Sequence, residues 1–291
     1  MNHITLASGH EMPVLGLGTW KLLGEPCRQA VKKALELGYS HIDTAWIYKN
    51  QEEVGQGMKD SGVDRKKIFL TTKIWVQHFK YKQVLAEFEE DLKMLNTDHV
   101  DLLLLHWPLT GMKETFKALN KLVDDGKVKS IGVSNYEIRH LKKAIPLTKA
   151  PICMNQVEYH PYLNQEALRK FCIDNNIHMT AYCPIGRGQI FGNPTIKSIA
   201  ESHKKSEAQV MLRWLIQKDV VAIPKATTED HLKENLEIFD FSLAEEEMKK
   251  IDNLGIRRRI IDPFVCDFDD VKPLTRVINK IKTLGYVNFY R

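Results

Sequence analysis

A chain of 291 residues, 43% apolar and 27% charged, has the composition of a soluble globular protein and enough length to bury a full core as one α/β unit. It contains no apolar run of about 18 residues, which excludes a membrane-spanning helix. A net charge of +5 without a basic stripe gives no nucleic-acid footprint, and the opening MNHITLASGH carries no secretory pattern, so a cytoplasmic protein is expected.

In chain order, ITLASGHEMPVLG reads as a small hairpin turning at Ser8-Gly9, followed by a first strand at 15–18. Cys27, Ala30, Val31, Ala34 and Leu35 then recur at helical spacing up to a stop at Gly38. Strands follow at 41–43 and 69–72, then a helix with Val84, Phe88, Leu92 and Leu95 on one face. The run 100–105 is apolar except for Asp101, as a strand covered on both faces requires. Thr115, Leu119, Leu122 and Val123 mark the next helix, which ends at Asp125-Gly126. Beyond it come strand 130–134, helix 137–144, strand 154–159, helix 165–175, strand 178–182, two helical stretches, strand 220–223 and a final pair of helices. Ser206 with Gln209, and Ser242 with Glu245, have the capping-box spacing that starts a helix.

Eight strand–helix units imply a parallel sheet with right-handed crossovers. The choice between a closed barrel and an open doubly wound sheet falls on the phosphate loop. Gly16-Leu17-Gly18 runs on into Thr19-Trp20-Lys21 rather than completing GxGxxG, and Gly55-Gln56-Gly57 lies inside a helical stretch. The expected fold is therefore a (β/α)₈ TIM barrel with an N-terminal β-hairpin and a C-terminal extension. It forms a single domain over 1–291, with the barrel at about 15–254 and a loop and tail at 255–291. In the tail, Leu274, Val277, Ile278 and Ile281 predict a short amphipathic helix. Five scattered cysteines (Cys27, Cys153, Cys172, Cys183, Cys266) with no CxxC pair predict reduced thiols and no metal site. Arg257-Arg258-Arg259 is the densest cationic cluster and reads as a solvated turn.

Active sites of such barrels lie at the carboxyl ends of the strands. Asp43, Lys73, His106 and Ser134-Asn135 follow successive strands; Gln156 lies on the sixth, Tyr182 ends the seventh, and Lys225 follows the eighth. Tyr48 stands five residues beyond Asp43. Ionisable side chains at consecutive strand ends are costly to bury unless they do chemistry or pair. A tyrosine, with an ordinary pKa of about 10, is a reluctant acid, but a neighbouring ammonium stabilises the phenolate and lowers that value. Lys73 is placed to do so, Asp43 to hold Lys73 charged, and a neutral His106 to aim a carbonyl oxygen at Tyr48. Trp20, Trp75 and Trp107 follow strand ends and, with Ile47 and His106, form the candidate substrate pocket.

At these residues the sequence resembles the aldo-keto reductase superfamily, particularly bacterial members of the 2,5-diketogluconate reductase and methylglyoxal reductase type. GYSHIDTAWIYKNQEEVG, LLLLHWP, GVSN, NQVEYHP, AYCPIGRG and IPKATTEDHLKEN carry the likeness in the family's order, from the hairpin to about Leu254. The resemblance implies NADPH-dependent reduction of aldehydes or ketones, with Tyr48, Lys73, Asp43 and His106 as the catalytic set. It implies NADP(H) bound without a Rossmann loop, NAD(H) being the alternative. Tyr182 would stack on the nicotinamide; Ser134, Asn135 and Gln156 would hold its carboxamide. Thr19, Trp20 and Asp43 join that set, and the loop Cys183–Gly188, with Cys183, Pro184, Ile185 and Gly186, would cover the pyrophosphate. Lys225, Ala226, Thr227, Thr228 and His231 would meet the 2′-phosphate, and Glu234 and Asn235 the adenine. The partner implied is a small carbonyl compound, and the family's habit is a monomer.

Three departures stand out. Asn50-Gln51 replaces a usual Asn-Glu at a position expected to be peripheral, and Cys183 replaces a common serine. Ala226 stands for a usual serine and His231 for a common arginine, which predicts NADPH preferred over NADH by a narrower margin than usual. The rival reading is a cofactor-binding regulatory or sensor barrel with little turnover.

Overall fold

The computed structural model describes residues 2–109, 111–261 and 268. Strands β1 (His3–Thr5) and β2 (Glu11–Pro13) form an antiparallel hairpin. Eight parallel strands follow: β3 (Leu17–Gly18), β4 (His41–Asp43), β5 (Phe69–Ile74), β6 (Val100–Leu105), β7 (Val128–Ser134), β8 (Ile152–Glu158), β9 (His178–Tyr182) and β10 (Val220–Ala222). They lie side by side in chain order. The ring closes where Gly16 N–H donates to the Ala222 carbonyl at 2.9 Å and Gly18 N–H to the Pro224 carbonyl at 3.1 Å. β3 is shorter than the run at 15–18 suggests, because Leu15 makes only an isolated bridge to Ala222.

Helices α1 (Gly24–Glu36), α2 (Gln51–Asp60), α3 (Tyr81–Met94), α4 (Lys113–Asp124), α5 (Ile138–Ala144) and α6 (Glu166–Asp174) each return the chain between strands. α7 (Pro194–His203) and α8 (Glu207–Gln217) share one crossover, and α9 (Glu229–Leu236) and α10 (Glu245–Asp252) follow the last strand. Ser206 and Gln209 form the expected capping box at the start of α8. The other expected box is not formed. α10 begins three residues beyond Ser242, and Ala244 is its boundary residue, donating its N–H to Glu247 at 2.8 Å. Two glycines of α2 set its closeness to its neighbours. A β-carbon on Gly55 would meet the Leu95 backbone at 2.7 Å, and one on Gly57 the Arg28 carbonyl at 2.6 Å.

Apolar side chains lie in two zones. The larger fills the space between strands and helices. The smaller, with Leu102, Leu104, Met154 and Val221, occupies the barrel interior, and Leu6 and Met12 of the hairpin are packed into it. The hairpin therefore plugs one end of the barrel and leaves the carboxyl ends of the strands for the site. Cys27, Cys153, Cys172 and Cys183 are free thiols; Cys266 and the helix expected in the tail lie outside the described residues. The arginine cluster divides. Arg257 and Arg258 are exposed, whereas the Arg259 side chain is only 9% exposed, 3.9 Å from Glu137, with its guanidinium 3.5 Å above the Phe268 ring.

Candidate active site

Lys73 is wholly buried near the end of β5, and each of its three ammonium protons has an acceptor. They go to Asp43 Oδ1 at 2.6 Å, the Thr44 carbonyl at 2.8 Å and Tyr48 Oη at 3.4 Å. Asp43 uses its second oxygen to accept from Gln156 Nε2 at 2.7 Å. Burial pushes the Asp43 carboxyl up and the Lys73 amine down, and each charge opposes the shift of the other. With every donor and both carboxylate oxygens partnered, the geometry is that of an ion pair.

Tyr48 ends a 3₁₀ turn, Trp46–Tyr48, that follows β4. The turn is tied down by buried Asn50, which accepts from Thr44 Oγ1 at 2.9 Å and donates to the Thr19 and Leu22 carbonyls at 2.9 and 2.8 Å. One asparagine therefore fixes the loop of Tyr48 to the loop of Trp20, whose ring is tilted against Tyr48 at 4.8 Å. The net lowering of the Tyr48 pKa expected from Lys73 is outweighed in this structure. Burial first, and then the Asp43 and Cys183 charges, hold the phenol well above its ordinary value. The phenol is thus protonated at neutral pH, with the Lys73 ammonium at its oxygen.

His106 follows β6 and packs edge-on to Tyr48 at 5.8 Å and to Trp75 at 5.2 Å. Burial, aided by the Lys73 ammonium, holds its pKa far below the ordinary value, so the imidazole is neutral and its single N–H can serve as a donor. These groups open into a cavity of about 610 Å³. Trp20, Ile47, Trp75 and Trp107 line it beside Tyr48 and His106, together with Ile261.

Another part of the same cavity carries a different set. Ser134 Oγ donates to the Gln156 carbonyl at 2.8 Å, Asn135 Nδ2 to the His106 carbonyl at 3.0 Å, and Tyr182 Oη to Asn135 Oδ1 at 2.7 Å. Asn135 sits at φ +65°, a conformation asparagine tolerates better than most residues. A partly exposed phenol ring beside two amides matches an aromatic ring bearing a carboxamide. Cys183, Pro184 and Ile185 continue the lining, and Lys21, Arg187 and Lys225 bring three cations to it, as phosphate groups require. The donor set fits a nicotinamide dinucleotide. Burial pushes the Cys183 thiol up to about 11, which leaves it unreactive.

Not every expected contact reaches the cavity. Thr19 is buried behind the wall with its hydroxyl on the Asp43 carbonyl at 2.9 Å, and Gly186 and Ala226 are also buried outside the lining. Thr227, Thr228 and His231 are exposed beyond it, Thr228 accepting from His231 N–H at 3.3 Å as the cap of α9. Glu234 is half-buried and Asn235 buried, both on α9. Lys225 alone of that segment's expected contacts lines the cavity.

Sequence reasoning missed several contributors. Lys21 and Ile261 line the cavity without any motif of their own, and Arg187 joins them from within the AYCPIGRG loop. Glu87 of α3 is buried, accepts from Trp75 N–H at 3.0 Å and pairs with His78, so it fixes the loop that carries the Trp75 wall. A charged residue on the inner, apolar face of α3 was the available signal. Gln51 is not peripheral but 2% exposed, donating to Thr72 Oγ1 at 2.8 Å next to Lys73.

Residues 14–256 match the model of the aldo/keto reductase family. The chain belongs to this family. It is 45% identical over 266 residues to the 9,11-endoperoxide prostaglandin H2 reductase of Trypanosoma cruzi (strain CL Brener), covering 89% of this chain and 93% of that one. It is likewise 45% identical over 259 residues to the glyoxal reductase of Bacillus subtilis (strain 168), covering 88% and 94%. Its fold is similar to the crystal structure of a Bombyx mori aldo-keto reductase in complex with NADP, with a TM-score of 0.85 and 33% identity over 90% and 95% of the two chains. As an aldo/keto reductase the protein is an oxidoreductase that reduces carbonyl groups, on the barrel and hairpin that its sequence predicts.

Proposed function

We propose that this aldo/keto reductase reduces small aldehydes or ketones with NADPH, and that Tyr48 is the proton donor. The observation that carries the reading is the Lys73 ammonium, held by Asp43 and Thr44 with its third proton on Tyr48 Oη. The bound cofactor supplies the hydride. Tyr48 gives its proton to the oxygen that becomes an alkoxide, and Lys73 stabilises the phenolate left behind. His106, neutral, donates to the carbonyl oxygen and aims it at Tyr48. The tryptophan walls exclude water from the transfer. A regulatory barrel with little turnover would have no use for a buried Asp43–Lys73 pair beneath a tyrosine.

Ser134, Asn135, Gln156 and Tyr182 would hold the nicotinamide end, and Lys21, Arg187 and Lys225 the phosphates. Ala226 and His231 in place of serine and arginine remove a hydroxyl donor and a permanent cation. NADPH is thus preferred by a modest margin, and NADH is also used. Free cysteines among the described residues suit a reducing, cytoplasmic setting, and a monomer completes the reading. The test is NADPH consumption with glyoxal or methylglyoxal, an aromatic aldehyde, an aldose and a keto-acid, repeated with NADH. Turnover of at least one carbonyl with higher kcat/KM for NADPH is expected. No turnover across the set, or equal or better kcat/KM with NADH, contradicts it.

A further inference from the structure

Glu158, the last residue of β8, lies two positions beyond Gln156 and is wholly buried, yet the reaction described above gives it no task. Its carboxylate is fully engaged. Oε1 accepts from His160 Nε2 at 3.0 Å and from the Ile260 N–H, and Oε2 accepts from the Ile261 N–H at 3.0 Å. Two residues before Ile260, Arg258 N–H donates to the Tyr162 carbonyl at 2.7 Å, so three backbone N–H groups of the segment 258–261 are fastened to the end of β8 and the connection that follows it.

What this segment touches gives the fastening a purpose. Ile261 lines the cavity beside the tryptophans. The end of the Ile260 side chain lies 3.3 Å from where a β-carbon on Gly186 would stand, against the loop that follows β9. Arg259 lies over Phe268, whose ring is 6.1 Å from Trp107, another cavity wall. A single buried carboxylate thus holds two adjacent amides of a strap that meets the substrate wall on one residue and the cofactor loop on the next.

We propose that Glu158 is a positioning residue that latches the strap 258–261 against the cavity, setting the substrate wall and the loop 183–188 together. A carboxylate suits the task because it accepts only, and three donors converge on it. Glu158→Gln keeps the volume but turns an amide N–H toward one of those donors, so one strap bond is lost.

The proposal rests on the carbonyl-reduction reading for its kinetic arm, while amide exchange tests the latch without any turnover. In the wild-type protein the Ile260 and Ile261 amides are expected to exchange about 100-fold more slowly than that of exposed Ile256. In Glu158→Gln that protection falls, KM for the carbonyl substrate rises about tenfold and kcat changes little. Ile261→Ala separates the two parts: KM rises while strap exchange stays at the wild-type rate. Wild-type amides at 260–261 as fast as their neighbours would overturn the latch even if the variant did not fold. Glu158→Gln with unchanged exchange, or with kcat lost and KM unmoved, would do the same. Failure of the wild-type protein to reduce any carbonyl would strike the reaction and leave the exchange result standing.

Discussion

Lys73 shows what a buried ammonium needs in order to stay charged and what it then does. Its three protons reach Asp43, Thr44 and Tyr48, so no donor is left over and none is available to solvent. Tyr48, held protonated by burial and by the Asp43 charge, keeps its proton across the neutral range. The sign of the pH dependence follows. Reduction needs the protonated phenol, which is lost only as pH rises through a value above the ordinary one, and His106 stays neutral because its pKa is depressed. Reductive kcat/KM should therefore be flat between about pH 6 and 9, while alcohol oxidation, which needs the phenolate, climbs with pH. A pH series in both directions checks this; a reductive fall centred near neutrality would contradict it. The four proposed catalytic positions were legible because each lies at or just beyond the carboxyl end of a strand visible in the apolar pattern. The direction of the Tyr48 shift was not legible, since it depends on how deeply the ring is buried.

At the scale of elements, α2 and α3 meet over buried polar groups. Asp91 of α3 is wholly buried, with burial and the nearby Glu87 charge raising its pKa well above the ordinary range and Gln51 opposing. Glutamine at position 51 lets this carboxyl sit against an amide, whereas a glutamate would set two carboxyl groups together in a dry interface. Gln51→Glu should destabilise the fold by about 2 kcal/mol, read as a lower midpoint in urea at unchanged slope, and a neutral result would refute the packing account. Periodicity in 81–94 showed the helix and its inner face but not what Glu87 meets there, the Trp75 N–H of the loop after β5. Ser242 misled because spacing alone cannot tell which of two nearby residues ends the loop; Glu247 reaches the Ala244 N–H and settles the helix start there.

For the whole molecule, alternation of eight strands with helices and the missing phosphate loop sufficed to choose the barrel. The closing bonds between 14–18 and 222–224, and the hairpin side chains Leu6 and Met12 inside the plugged end, depend on contacts far apart in the chain that no local pattern encodes. The same holds for the strap on Glu158. Nucleotide selectivity is also a property of the assembled site, because Lys225 lines the cavity while His231 stands exposed beyond it. His231→Arg should raise the NADPH-over-NADH ratio of kcat/KM by about tenfold, chiefly through the KM for NADPH. An unchanged ratio would remove position 231 from phosphate recognition.

The central claim is that Tyr48 delivers the proton, and substitution by phenylalanine removes only the hydroxyl. Turnover by Tyr48→Phe with NADPH and the best carbonyl substrate, beside the NADPH dissociation constant of the same variant, tests it most directly. In that variant kcat should fall by about 10²–10⁴-fold while cofactor affinity stays within about threefold of wild type. A Tyr48→Phe protein that keeps its kcat would contradict it.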